Sequence, residues 1–223
     1  MPEALCFDMY GTLCDTSSVT ARLGEALDAP GVLTDVIDET WRRTQLAYSF
    51  QLSVMGDYEP FWTVTRRALD YALAQYGLDP DDETRARILG AYEHLDPFPG
   101  AVETLSRLRD EGYTVAVLSN GNPEMLDRLA ENAGLASHLD DVVSADEVGT
   151  FKPSPAVYEN AASRLDCDLG DCALVSGNSW DVAGAGAAGM GTAWVNRRRD
   201  PFEEIGARPD REVTSLVELP DAL

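Results

Sequence analysis

The stretch Ala4-Leu5-Cys6-Phe7-Asp8-Met9-Tyr10-Gly11-Thr12 decides the fold. Its first four residues are apolar without alternation, the pattern of a strand buried on both faces. The run stops at a carboxylate and passes into a glycine-bearing turn, so a charged group stands at the end of a buried strand. Segments 113–118, 141–144, 173–175 and 192–195 share that look. Helical punctuation separates them. Val102, Leu105 and Leu108 mark one helical face that Gly112 ends, and Asn122-Pro123 and Ser154-Pro155 each read as a cap followed by proline at the first helical position. Strands alternating with helices predict a doubly wound parallel sheet, a Rossmann-like α/β core.

Between the first two strands lie about a hundred residues with no strand pattern. Residues 33–55 read as one long amphipathic helix with Val36, Ile37, Trp41, Leu46 and Ala47 at apolar positions, one face of which offers a surface for a twofold partner. Residues 61–76 read as a second helix, ended by Gly77. Asp79-Pro80 caps a third that runs through Ile88 and Leu89. A helical insert at this point sits over the carboxyl edge of the sheet, where open α/β folds bind ligands. The expected division is therefore a core of residues 1–13 and 96–223 and a helical cap of residues 14–95. No internal repeat or low-complexity segment interrupts it.

The chain has 223 residues, 44% of them hydrophobic, enough for a sizeable core. Acidic residues outnumber basic ones 39 to 17, giving a formal charge of −22 and a pI near 4.2. That field repels polyanions and argues against nucleic acid or an anionic membrane as partner. All the basic residues but Lys152 are arginine. Surplus carboxylate with almost no lysine suits a cytoplasm of multimolar salt, where the Debye length falls to ~3 Å or less. A GC-rich genome accounts for the missing lysine but not for the surplus acid. Cys6, Cys14, Cys167 and Cys172 form no CxxC pair and are expected to be reduced. No apolar stretch reaches the ~20 residues of a spanning helix, and no leader pattern precedes the first apolar run. The expectation is a soluble cytoplasmic protein.

The chemistry-bearing residues lie at the ends of expected strands. Asp8 follows the first, Ser119-Asn120-Gly121 the second, Lys152-Pro153 the third after a short loop, and Ser176-Gly177-Asn178-Ser179-Trp180-Asp181 the fourth. A carboxylate, a hydroxyl, an ammonium and a second carboxylate at one sheet edge make a nucleophile site with balanced charge. Together with Tyr158, these motifs resemble the haloacid dehalogenase superfamily, and more narrowly the type II (S)-2-haloacid dehalogenases. Trp41-Arg42-Arg43-Thr44-Gln45-Leu46-Ala47-Tyr48 resembles the arginine-bearing cap helix of that subgroup. Asn196-Arg197 and Glu212-Val213-Thr214-Ser215-Leu216 extend the likeness to nearly the whole chain.

Residue chemistry separates the branches. The phosphatase branch carries Asp-x-Asp in the first motif, with the second Asp as general acid; here that place is Tyr10, too weak an acid near neutral pH. Phosphatases also hold magnesium with a carboxylate where this chain has Gly177. A carboxylate nucleophile beside a lysine suits displacement at carbon, since a halide leaves as a weak base. The resemblance implies that Asp8 attacks the α-carbon of a 2-haloacid with inversion, and that water then opens the aspartyl ester. It implies no cofactor and no metal, and a homodimer. It assigns Lys152 to keep Asp8 ionised, Thr12 to bond Asp8, and Ser119 to hold the substrate carboxylate. Arg42 with Asn120 receives the halide. Ser176, Asn178 and Asp181 position Lys152 and the hydrolytic water, while Tyr10, Leu46, Phe61 and Trp180 form an apolar wall. A magnesium-dependent phosphatase and a non-catalytic binding protein on the same fold are the alternatives. Arg43 stands where the subgroup often has glutamine, and Gly177 where it often has a second serine. His94 and His138 read as structural, Cys167 and Cys172 as bystanders, and Asp146-Glu147 and Asp81-Asp82-Glu83 as solvated faces.

Overall fold

The computed structural model describes residues 2–223. The apolar opening run forms β1 (Ala4–Phe7), buried throughout. The chain then makes the short strand β2 (Cys14–Asp15) and enters four helices, α1 (Ser17–Leu27), α2 (Gly31–Met55), α3 (Phe61–Gln75) and α4 (Asp82–Leu89). It returns through β3 (Asp96–Pro97), antiparallel to β2, so the helical block leaves and rejoins the sheet domain across one two-stranded stem. Beyond it come α5 (Ala101–Asp110), β4 (Thr114–Ser119), α6 (Pro123–Asn132), β5 (Asp141–Ser144), α7 (Pro155–Arg164), β6 (Cys172–Ser176), α8 (Ser179–Ala188), β7 (Gly191–Val195), β8 (Arg211–Val213) and α9 (Leu219–Ala222).

Six strands make one parallel sheet in the order β5-β4-β1-β6-β7-β8. The chain builds outward from β1 on one side through β4 and β5, then crosses to the other side for β6, β7 and β8. The end of β1 is thus the switch point at which such sheets open a crevice. Phe7 pairs in register with both Val117 and Val175, which brings the ends of β1, β4 and β6 level. Leu5, Phe7, Val117, Val175 and Leu105 are fully buried in the main core. Each contributes on the order of 1.5–3 kcal/mol by leaving water.

In the helical cap α1–α3, Trp41 is fully buried between α2 and α3, and its indole N–H donates to the Thr65 carbonyl at 2.8 Å. The apolar face expected of the long helix is narrower than its sequence implies. Ile37 and Trp41 are fully buried, whereas Val36, Leu46 and Ala47 are only half-buried. Much of the buried face is polar, including Thr34, Thr40, Thr44, Gln45 and Ser49.

Several local readings need correction. Asp81, not Asp79-Pro80, caps α4, its Oδ1 accepting the Thr84 N–H at 2.8 Å; Asp79 instead pairs with Arg85. Asn122 stands at the N-cap of α6 with Pro123 in the first turn, as read, but its side chain makes no cap bond because the cap domain takes it. Ser154 likewise precedes α7 without a side-chain cap. Of Asp146-Glu147, read as a solvated face, Glu147 is exposed and pairs with Arg164, whereas Asp146 is half-buried and accepts the Tyr58 hydroxyl. Cys167 and Cys172 are joined in a disulfide, with Cys6 and Cys14 free. The expectation of four thiols failed because a single 3₁₀ turn, Leu169–Asp171, folds residue 167 back beside the start of β6. Among the described residues no helix is long and apolar enough to cross a membrane.

Candidate active site

The floor of the site is the carboxyl edge of the sheet. Asp8 emerges from β1 and turns at once through Gly11, whose φ of 79° lies in the region that favours glycine. Its Oδ1 accepts from the Lys152 ammonium at 3.0 Å. Its Oδ2 accepts from Thr12 Oγ1 at 2.9 Å and from Asn178 Nδ2 at 2.8 Å. Lys152 is 1% exposed. Its remaining bonds go to Asp181 Oδ2 at 2.6 Å and the Leu118 carbonyl at 3.0 Å, so all three N–H donors are used. Asp181, fully buried at the first turn of α8, accepts the Tyr158 hydroxyl at 2.8 Å on its other oxygen.

Burial opposes the charge on Lys152, but the Asp181 and Asp8 carboxylates outweigh it and hold the ammonium above the ordinary lysine range. Burial pushes the Asp181 carboxyl above the usual carboxylate range, with Lys152 countering part of that rise. Removing one partner from such a buried pair costs about 3–5 kcal/mol, because the other charge is left stranded.

A cavity of about 140 Å³ lies over this floor, reaching Asp8, Lys152, Asn178, Ser119 and Asn120 below and Arg42, Gln45, Leu46 and Phe61 of the cap above. Ser119 Oγ accepts the Gly121 N–H at 3.3 Å, which leaves its own proton to donate. The Asn120 carbonyl oxygen accepts the Lys152 backbone N–H at 2.9 Å and fixes the amide's orientation. Arg42 is tethered by its Nε to Asp38 at 2.8 Å and by Nη2 to the Thr16 carbonyl; Nη1 bonds none of the described residues. Tyr10 stacks edge-on against Tyr92 at 5.8 Å. Burial drives its hydroxyl well above the ordinary tyrosine range, an even weaker acid than usual.

A sequence profile of haloacid dehalogenase-like hydrolases matches residues 2–189. The chain belongs to this family. It is 41% identical over 99% of its length, and 96% of the relative's, to (S)-2-haloacid dehalogenase 1 of Pseudomonas sp. (strain CBS-3). It is 39% identical to (S)-2-haloacid dehalogenase 4A of Burkholderia cepacia, over 97% of this chain and 93% of that one. In three dimensions it resembles the L-2-haloacid dehalogenase of Xanthobacter autotrophicus with chloropropionic acid covalently bound. There the TM-score is 0.90 and the identity 36%, over 99% of this chain and 98% of that chain.

Within this haloacid dehalogenase-like frame most of the expected site residues meet. Asp8, Tyr10, Arg42, Leu46, Phe61, Ser119, Asn120, Lys152, Asn178 and Trp180 all border the cavity. Thr12, Ser176 and Asp181 stand behind it. Of the three residues expected to position Lys152, only Asp181 touches the ammonium. Asn178 bonds Asp8 instead, and Ser176 Oγ accepts the Asn178 N–H at 3.1 Å, shaping the loop. Arg43 is exposed and outside the pocket; Gln45, bonded to Thr65 Oγ1 at 2.6 Å, borders it. Sequence reasoning missed Gln45, Thr16 and Tyr92 as lining residues. Gln45 lay in the quoted cap-helix motif, three positions after Arg42 and so on the same helical face; no sequence signal marked the other two.

Proposed function

We propose that this chain hydrolyses small (S)-2-haloalkanoic acids to (R)-2-hydroxyalkanoic acids through an ester on Asp8. The observation that carries the reading is a carboxylate held by a buried ammonium at the floor of a small cavity, facing a cap arginine and no carboxylic acid. An Asp8 oxygen forms a bond to the α-carbon from the rear while the carbon–halogen bond breaks and the halide leaves with its electron pair. Water then adds to the Asp8 carboxyl carbon, releasing the hydroxy acid, a proton and the free carboxylate. Lys152 holds the Asp8 carboxylate through its buried ammonium, 3.0 Å from Oδ1. Thr12 and Asn178 hold Asp8 in one orientation, which is where most of the rate gain in such sites arises. Ser119 and Asn120 suit the substrate carboxylate and the halide respectively, and Arg42, always charged and weakly hydrated, suits the departing anion. Leu46, Phe61, Trp180 and the Tyr10 ring exclude other water.

Magnesium does not fit these residues. Gly177 supplies no side chain where a phosphatase needs a carboxylate, and both site carboxylates bond Lys152. Among the described residues no cluster of three His, Cys, Asp or Glu side chains is arranged to hold a metal.

The reading carries a domain division, residues 1–13 and 96–223 as core and 14–95 as cap, supported by the β2–β3 stem at both crossing points. It also carries a cytoplasmic homodimer adapted to salt. Exposed Val54 and Met55 at the end of α2 support the twofold contact, and the charge of −22 supports the salt dependence. Light scattering at graded KCl tests the dimer. Activity that is equal in dilute buffer and molar KCl refutes the salt adaptation.

The deciding assay measures chloride release from (S)- and (R)-2-chloropropionate in molar KBr with EDTA, for the wild type and Asp8→Asn. Release from the (S) form alone, lost in the variant, is the expected result. Magnesium-dependent cleavage of a phosphate ester, with no chloride released, overturns the proposal.

A further inference from the structure

We propose that Arg197, just past the end of β7, is a positioning residue for the nucleophile: it seats the Gly11–Thr12 turn so that the Thr12 hydroxyl holds the Asp8 carboxylate in line for attack. The inference rests on the dehalogenase reading for its kinetic consequences and on geometry alone for the turn.

Arg197 Nη1 donates to the Gly11 carbonyl at 3.0 Å and Nη2 to the Thr12 carbonyl at 2.7 Å. Its guanidinium carbon lies 3.6 Å from the centre of the Phe98 ring, so the plane of the fork is fixed as well as its reach. Two rigidly paired donors on successive carbonyls set the direction of a turn in a way that one point charge does not. From that turn Thr12 Oγ1 donates to Asp8 Oδ2 at 2.9 Å and accepts the Gly177 N–H at 2.8 Å. Arg197 does not border the cavity and reaches the reaction only through this chain of contacts.

Gly177 supplies the second observation. A Cβ on residue 177 would lie 2.6 Å from the Gly11 carbonyl oxygen and 3.5 Å from Arg197 Nη1. The volume a side chain would use at 177 is occupied by the carbonyl that Arg197 holds. Trp194, on β7 itself, fixes the other side of that residue by donating its indole N–H to the Gly177 carbonyl at 3.2 Å. Arg197 and Gly177 are thus two halves of one fit: the arginine draws the turn inward, and the missing side chain makes room for it.

A purely structural clamp predicts lost stability with intact turnover, so the test separates the two. Arg197→Ala, Arg197→Lys, Gly177→Ala and the Arg197→Ala/Gly177→Ala double variant are compared by kcat and KM on (S)-2-chloropropionate, scaled to folded protein. Arg211→Ala is the control, since Arg211 also forks onto chain carbonyls, of Ala222 and Leu223, with no route to Asp8. Displacing a nucleophile by about an ångström costs roughly 10²-fold, so kcat should fall by that order in Arg197→Ala while KM stays within about twofold. Lysine restores part of the loss, Gly177→Ala reproduces it, and the double variant is little worse than the poorer single. Arg211→Ala changes Tm alone. Unchanged kcat in folded Arg197→Ala, or losses that multiply in the double variant, overturns the proposal. Hydrogen exchange gives a readout independent of the reaction: the Gly177 amide should lose protection in Arg197→Ala. A wild type that releases no halide defeats the dehalogenase reading, while the exchange result still decides whether Arg197 seats the turn.

Discussion

On the core side of the cavity both oxygens of Asp8 and all three N–H groups of Lys152 are committed to partners, and Lys152 is 1% exposed. On the cap side the Arg42 side chain is 27% exposed, and its two ties, to Asp38 and the Thr16 carbonyl, leave Nη1 bonded to none of the described residues. The floor is built from strand ends that cannot shift without breaking the sheet. The roof hangs from helices that meet the core through side chains. Preorganised charge belongs where bonds are made, because it then costs no reorganisation at the moment of reaction. Groups that receive a leaving anion need reach and a way to let it go, which suits the looser side.

The comparison breaks first if the floor tolerates change. Asp8→Asn keeps the shape and removes the nucleophile, and activity should fall by at least ~10⁴-fold, the scale seen when a covalent nucleophile is lost. A variant retaining a tenth of wild-type turnover in an ester-trapping experiment would put the reactive oxygen elsewhere. On the roof the expected effect is smaller. Arg42→Ala removes one donor for a developing anion, worth about 10²–10³ in kcat. The loss should be largest for chloride as leaving group and smaller for iodide, which carries its charge more diffusely. Equal losses across halogens would detach Arg42 from the departing anion.

How much of this division was legible in the sequence follows from how local each signal is. Strands buried on both faces read as plain apolar runs, and a charge that ends such a run must stand at the sheet edge, so Asp8 was visible; Lys152, in the loop beyond β5, stood out instead as the one lysine of the sequence, placed before Pro153. β8 was not, because Arg211-Glu212-Val213 at the sheet margin holds a single buried apolar residue. Nor was α8, whose run of Gly and Ala from 183 to 188 carries no amphipathic pattern. Asn122 shows the opposite failure. Its place before Pro123 is a strong local cap signal, but Trp62 and Asp146, distant in sequence, claim both ends of its amide. The Tyr158–Asp181 bond needed α7 laid against α8, a contact between helices that no spacing encodes.

The floor's charge balance can be sharpened by pH. The two carboxylates favour the ammonium form of Lys152 while burial opposes it. The alkaline limb of kcat/KM in the wild type should therefore lie above the ordinary lysine value of about 10.4. Asp181→Asn removes one carboxylate and leaves burial in place, so the limb moves to lower pH. The profile is taken on protein shown to be folded, since loss of the pair also weakens the fold. An alkaline limb that does not move would mean that Lys152 is not the group titrating there.

The smallest expected effect bears on what joins the two sides. Tyr58 of the cap donates its hydroxyl to Asp146 Oδ1 at 2.5 Å, and the same oxygen accepts from Asn122 Nδ2 at 2.9 Å. Asn122 in turn accepts the backbone N–H of Trp62, at the start of α3, at 2.8 Å. Farther along the seam Ser53 accepts from Phe151 N–H and Thr150 Oγ1, both at 3.1 Å. Tyr58→Phe deletes one bond to a charged acceptor, worth about 1.5–3 kcal/mol, and leaves the Asn122 arm intact. Because Tyr58 touches neither Asp8 nor the cavity, the change should act on the closed state of the cap rather than on bond making. KM should rise a few-fold, with the single-turnover rate of ester formation unchanged at saturating substrate. A fall in that rate would mean that the roof helps to set the geometry of attack, and the separation between a fixed floor and a looser roof would have to be given up.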